Sequence, residues 1–170
     1  MTEQQDRGAA SAVELYDSEE ALTSAAGETA RRWAGSGLKP LVVALRGDLG
    51  TGKTTWVRAM LRGLGYRARV PSPTYTLVEH YPFPDAGLTL VHLDLYRLAD
   101  EEELDHLGLR DWLAEPGTWL LVEWPERAAR LEALADVELV LEIVGPTSRR
   151  VRASARTRRG REAVGLLARA

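Results

Sequence analysis

With 170 residues the chain has the length of one compact domain and is short for two. It contains no cysteine, which excludes a disulfide scaffold and any cysteine-ligated zinc or iron–sulfur centre. A net charge of −3 excludes a strong whole-molecule pull on nucleic acid, although residues 149–161 (RRVRASARTRRGR) hold seven arginines and no acid.

Residues 1–11 carry acids and no apolar run, so they read as a flexible tail rather than a secretory signal, with 12–170 as a single domain. Residues 12–16 alternate like a short strand. Asp17 with Glu20 resembles a capping box opening a helix through about Trp33, with Leu22, Ala25, Ala26, Thr29 and Ala30 on one face. The run 41–45 (LVVAL) is apolar on both faces, as a central strand buried on both sides should be. It is far shorter than the roughly 20 residues a membrane span needs, and a cytoplasmic protein is expected.

Residues 47–52 form a loop, and 53–64 read as a helix with Val57, Met60, Leu61 and Leu64 inward, its end loosened by Gly63 and Gly65. Pro71 and Pro73 punctuate a further loop before a candidate strand at 75–81. Strand 88–94, a short acidic helix at 99–107, another turn or two at 109–114, strand 119–123 and a helix at 126–134 follow. Residues 137–144 and 150–155 alternate as a hairpin around Gly145-Pro146-Thr147-Ser148, and 161–169 close the chain as a helix. Strands interleaved with helices predict an α/β sandwich of the P-loop NTPase-like type: three layers, a largely parallel central sheet and an antiparallel edge.

Gly47-x-x-x-x-Gly52-Lys53-Thr54 matches the Walker A pattern in full, between an apolar strand and an amphipathic helix. Glycines let the backbone wrap closely and aim N–H groups at phosphate oxygens, and the helix start presents its positive dipole end to the same anion. Lys53 is suited to neutralising the β and γ phosphates, and the Thr54 hydroxyl to reaching Mg²⁺. The chain writes nearly every basic residue as arginine, keeping lysine only at 39 and 53. At position 53 a planar guanidinium cannot replace a compact ammonium.

Asp94 ends LTLVHLD and Glu123 ends WLLVE. If those strands run parallel to 41–45, both acids lie at carboxyl ends beside the P-loop, the edge along which open α/β sheets bind ligands. Metal coordination and water activation are the roles such acids fill, and spacing alone leaves open which acid takes which. The loop 71–76 stands where many P-loop hydrolases sense the γ-phosphate, although a proline-stiffened loop has the same look. His80, His92 and His106 lack metal-ligand spacing and read as packing or surface residues. The arginines of 149–161 read first as a solvated strand edge and helix start, and alternatively as a patch for phosphate, RNA or an acidic partner.

Four segments in register, GDLGTGKTT (47–55), SPTYTLVEHY (72–81), HLDLYRL (92–98) and LVEWPER (121–127), resemble the TsaE family, the P-loop ATPases of bacterial tRNA threonylcarbamoyladenosine biosynthesis. The resemblance runs from about residue 13 to the C-terminus. It implies ATP and Mg²⁺ as cofactors, slow hydrolysis, and two partner proteins, TsaB and TsaD. Those partners install the threonylcarbamoyl group beside the tRNA anticodon, so tRNA is reached indirectly through them, and no membrane is involved. By similarity, Asp48, Leu49, Gly50, Thr51, Gly52, Lys53, Thr54 and Thr55 would bind the nucleotide, and Thr54 and Glu123 would contact Mg²⁺. Asp94 would be the Walker B-like acid, Trp124 would lie close to the nucleotide, and Thr74 would face the γ-phosphate. Ser18 with Glu19, and an arginine near Arg150, are looser matches to nucleotide contacts.

Other classes are less well served. A small-molecule kinase needs an acceptor pocket and usually an arginine-bearing lid, whereas the 149–161 cluster alternates as a strand. A GTPase commonly carries an Asn-Lys-x-Asp loop, and this chain has no asparagine. An RNA-binding module would pair its basic patch with an aromatic platform, which is absent here.

Overall fold

The computed structural model describes residues 10–70 and 77–169. Seven strands form one sheet: β1 (Ser11–Tyr16), β2 (Leu41–Arg46), β3 (Val78–Phe83), β4 (Leu88–Asp94), β5 (Thr118–Glu123), β6 (Val137–Ile143) and β7 (Arg149–Ala155). Their spatial order is β1-β7-β6-β2-β5-β4-β3. The central four, β6, β2, β5 and β4, are mutually parallel. Antiparallel pairs flank them on both sides, β3 against β4 at one end and β6, β7 and β1 at the other. The predicted antiparallel edge is thus present twice.

The sheet is covered on two faces. On one, α1 (Glu19–Gly35), α2 (Lys53–Gly63) and α6 (Arg158–Gly165) pack against Leu41, Val43, Leu45, Trp119, Leu121, Leu139 and Leu141. On the other, α3 (Glu103–His106), α4 (Leu109–Ala114) and α5 (Ala129–Glu132) pack on Val42, Ala44, Val91, Leu93, Leu120 and Val122. Every residue of β5 is buried and β2 is buried except at Arg46, so their unbroken apolar runs follow from having a helical layer on each side. The polar ends of two core tryptophans find backbone partners. Trp33 donates to the Ala163 carbonyl at 2.9 Å and Trp119 to the Leu38 carbonyl at 2.7 Å.

Several boundaries differ from the sequence reading for local reasons. Ser18, not Asp17, caps α1, its hydroxyl accepting from the Ala21 N–H at 3.1 Å. The helix expected at 99–107 forms only over Glu103–His106, because the Glu103 carboxylate accepts from the Asp100 N–H and the Asp100 carboxylate from the Glu102 N–H, which holds the preceding residues in a turn. The expected 126–134 helix splits into a 3₁₀ turn, Pro125–Arg127, and α5, separated by a buried Ala128 with non-helical backbone (φ −139°, ψ 84°). β3 carries Pro82, which the sheet tolerates because β3 is an edge strand. The closing helix starts at Arg158, capped by Thr157, rather than at 161. α2 ends at Gly63, as the two glycines suggested, and Gly63 also sits where α2 crosses α1: a Cβ there would stand 2.3 Å from the Gly27 carbonyl oxygen.

No helix among the described residues is long and apolar enough to cross a membrane.

Candidate nucleotide site

The parallel strands all end at one edge, where β2 runs into the loop 47–52 and then α2. Gly47 has φ 139°, and a Cβ on it would collide with the Leu141 carbonyl oxygen at 2.4 Å and the Thr51 hydroxyl at 2.7 Å. Only glycine lets the chain leave β2 so close to β6. Gly52, at φ 105°, turns the chain into α2 without any side chain capping the helix, so the first N–H groups of α2 face the loop's concavity.

Lys53 lies back over this loop. Its Nζ donates to the Gly47 carbonyl at 2.6 Å and the Asp48 carbonyl at 3.0 Å, and stands 4.1 Å from the centroid of the Trp124 ring. Burial pushes its pKa below the usual lysine value, opposed by the nearby carboxylates of Glu123 and Asp94. Trp124 reaches this position through a left-handed backbone (φ 57°) directly after β5, and its ring packs on Tyr96 at 4.9 Å.

One residue further along α2, the Thr54 hydroxyl donates to the Glu123 carboxylate, 2.8 Å from Oε1 and 3.0 Å from Oε2. Glu123 is almost wholly buried at the end of β5, directly beside β2. Asp94 is its register neighbour on β4. Burial, chiefly, and the Glu123 charge push the Asp94 pKa above the usual carboxylate range, against the Tyr96 N–H, which donates to its Oδ1 at 3.1 Å. His92, two residues before Asp94 and fully buried, brings Nε2 to 2.8 Å from Glu123 Oε1.

Gly52, Lys53, Thr54, Asp94, Glu123 and Trp124 line a cleft of about 450 Å³ together with Leu49, Gly50, Thr55, Tyr96 and Arg97. The two acids predicted from strand ends therefore do converge on the P-loop. A smaller hollow of about 190 Å³ lies across the loop, walled by Glu19, Leu22, Thr55, Pro146, Thr147 and Arg149. Ser18, at the head of α1, is next to it and spends its hydroxyl on the helix cap. Arg150 points elsewhere and pairs with Glu142 at 3.5 Å. It is Arg149 whose guanidinium reaches the P-loop, donating to the Thr51 carbonyl at 3.1 Å and the Gly50 carbonyl at 3.4 Å. Thr74 and the rest of 71–76 lie outside the described residues.

Sequence reading missed the placement of His92, and it named an arginine near Arg150 without fixing on Arg149. The signal for His92 was its spacing: His92 and Asp94, two apart on a strand, share a face. For Arg149 nothing local distinguished it from its neighbour. The remaining arginines of 149–161 are largely taken up by ion pairs or carbonyls: Arg152 with Glu142, Arg156 with Glu132 and Glu138, Arg158 with Glu162, and Arg159 with Asp136 and the Pro40 carbonyl. The basic stretch is a set of internal pairings along β7 and α6 more than an open cationic patch.

Among the described residues no cluster of three or more histidine and carboxylate side chains could hold a metal ion by itself. A cation here would rely on Thr54, one or two carboxylates, water and the phosphates of a ligand, which is how Mg²⁺ is usually held. The glycine cradle at Gly47, the uncapped start of α2 and the buried Thr54–Glu123 pair fit a magnesium–nucleotide complex.

A mostly parallel sheet between two helical layers, with this loop at its carboxyl edge, defines a P-loop NTPase-like α/β protein. The family model of "Threonylcarbamoyl adenosine biosynthesis protein TsaE" matches residues 16–152, and the chain belongs to that family. It is 48% identical over 99 residues to a tRNA threonylcarbamoyladenosine biosynthesis protein TsaE of Haemophilus influenzae, covering 58% of this chain and 61% of that one. The Bacillus subtilis TsaE is 36% identical over 110 residues, 65% of this chain and 66% of the relative. The match to the Aquifex aeolicus TsaE reaches 38% over 140 residues, 81% of this chain and 92% of the relative. The alignments thus span somewhat under two thirds of the first two relatives and nearly all of the third. The crystal structure of Bacillus subtilis YdiB superposes with a TM-score of 0.73 at 28% identity, covering 95% of this chain and 97% of that one.

Proposed function

We propose that the chain is a magnesium-dependent, slowly hydrolysing ATPase that supports threonylcarbamoyladenosine modification of tRNA by acting on a partner complex of the TsaB–TsaD type. The observation that carries this reading is the hydrogen bond from Thr54, on the P-loop helix, to the buried carboxylate of Glu123. A P-loop hydroxyl and a strand-end acid joined in this way would be the protein's share in holding Mg²⁺. Bound Mg²⁺ supplies charge neutralisation on the transferred phosphoryl group.

The residues divide the remaining work. Loop 47–52 and the first turn of α2 orient the phosphates through backbone N–H groups. Lys53 exchanges its two carbonyl partners for phosphate oxygens, while Trp124 shields its charge from water. Thr54 and Glu123 would hold the metal. Asp94, its proton affinity raised by burial, is placed to accept a hydrogen bond from an attacking water. The hollow beside Arg149 and the start of α1 is the space for the nucleoside end.

Slow turnover follows from what surrounds these groups. Among the described residues Arg149 is engaged by loop carbonyls, and Arg150 and Arg152, the other arginines of β7, pair with Glu142, so no arginine of β7 is left over to form a cationic lid. That arrangement also weakens the small-molecule kinase reading. The test is reconstituted tRNA modification with TsaB- and TsaD-type proteins, with and without this chain and ATP. Modification that proceeds equally without the chain, or that is indifferent to ATP, would overturn the proposal.

A further inference from the structure

Among the described residues His92 makes a single polar contact, and makes it to the acid of the nucleotide site. The ring is fully buried in β4, beside Leu121 in register and under the same helical layer as Leu90. Space-filling there needs only an apolar side chain. Instead the ring reaches diagonally across the β4–β5 pair to Glu123 Oε1 at 2.8 Å, while Nδ1 has no hydrogen-bond partner among the described residues. A carboxylate only accepts, so the bridging proton sits on Nε2. A second proton on Nδ1 would be a buried donor with nothing to receive it. The surroundings therefore fix the Nε2–H tautomer and its direction.

Among the described residues Glu123 Oε1 then carries two donors, the Thr54 hydroxyl at 2.8 Å and His92, whereas Oε2 has only the longer Thr54 contact at 3.0 Å. We propose that His92 is a positioning residue for the nucleotide site: its Nε2–H anchors Oε1 and so leaves Oε2 as the carboxylate oxygen free to serve a divalent cation or its water. This inference rests on the magnesium–nucleotide reading above. Donors behind metal-binding carboxylates act in this way by fixing orientation, and losing one typically weakens metal binding about ten- to a hundredfold.

Replacement by glutamine places an amide N–H as many bonds from Cα as Nε2, whereas asparagine stops at the Nδ1 position and cannot reach Glu123. The experiment measures Mn²⁺ affinity of the full chain in the presence of ATP by electron paramagnetic resonance, ATP affinity in EDTA by calorimetry, and melting temperature. Measurements cover wild type, H92Q, H92N and H92F. The expected result is a loss of about tenfold or more in Mn²⁺ affinity for H92N and H92F, substantial retention in H92Q, and unchanged metal-free ATP affinity in all. If H92F does not fold, the Asn–Gln contrast alone carries the test. Equal losses in H92Q and H92N, or wild-type Mn²⁺ affinity in H92N, would overturn the positioning role while leaving the proposed function standing. A wild type that binds ATP yet takes up no Mn²⁺ would overturn both.

Discussion

The Thr54 hydroxyl and the Glu123 carboxylate meet at 2.8 Å although 69 residues separate them in the chain. Their meeting requires β5 to lie beside β2, so that the residue after the P-loop lysine and the last residue of β5 occupy one corner of the sheet edge. Glu123→Gln keeps the shape and one acceptor oxygen while removing the charge. Single-turnover hydrolysis with Mg²⁺ should fall by about a hundredfold, and ATP binding in EDTA should change little. Full Mg²⁺-dependent activity in the variant would reduce Glu123 to a support for α2.

Lys53 tests the phosphate side separately. In the ligand-free chain its ammonium is buried, and its pKa is lowered by that burial. Folding therefore gains little from the charge itself. Lys53→Ala should weaken ATP binding by about ten- to a hundredfold, the worth of a charge-assisted hydrogen bond, as read by calorimetric titration. Its stability cost should stay within about 1 kcal/mol. Unchanged affinity would remove the P-loop from the nucleotide site.

How much of this was legible in the sequence depends on how local the cause was. Strand 41–45 and the P-loop could be read because an uninterrupted apolar run and a fixed glycine spacing each have one physical explanation. Asp94 and Glu123 could be placed because a parallel sheet puts strand ends at one edge. The choice of Arg149 over Arg150 could not, since it depends on the register of β7 against β6 and on which face that register turns toward the loop. Nor could the role of His92, whose partner lies on a neighbouring strand. The broken helices at 99–107 and 126–134 failed for a different reason: backbone N–H bonds accepted by the Asp100 and Glu103 carboxylates, and the non-helical Ala128, override a composition that favours helix.

Gly63 and Gly35 both sit in helices with no positive φ, yet their surroundings differ. A Cβ on Gly63 would stand 2.3 Å from the Gly27 carbonyl oxygen and 2.6 Å from its Cα, whereas one on Gly35 meets nothing within 4 Å. Gly63→Ala should therefore destabilise by about 1–3 kcal/mol by forcing α1 and α2 apart. Gly35→Ala should stabilise by roughly 0.4–1 kcal/mol through the unfolded chain. Denaturant melts of the two variants check this, and a neutral Gly63→Ala would mean the helix crossing is looser than its geometry.

Asp94 links stability to function with opposite signs. Burial, then the nearby Glu123 charge, raises its pKa in the folded protein, so folding disfavours its ionised form. A group of this kind supports stability most fully below its unfolded pKa of about 3.9 and loses that contribution as pH rises through the folded value. At neutral pH the ionised carboxylate is thus held at a cost. Asp94→Asn removes the charge, and its side-chain oxygen can still accept from the Tyr96 N–H. The ligand-free variant should melt higher than wild type at pH 7, by roughly 0.5 kcal/mol or more. The advantage should shrink as pH falls through the raised pKa, because wild-type Asp94 then takes up a proton and escapes the same penalty. Mg²⁺-dependent ATP turnover should move the other way, dropping in the variant at every pH, since an amide cannot take a proton from an attacking water. Melting curves across pH 4–8, paired with single-turnover hydrolysis on the same samples, measure both effects. A variant less stable than wild type at pH 7, with turnover intact, would mark Asp94 as a structural cap on the turn after β4.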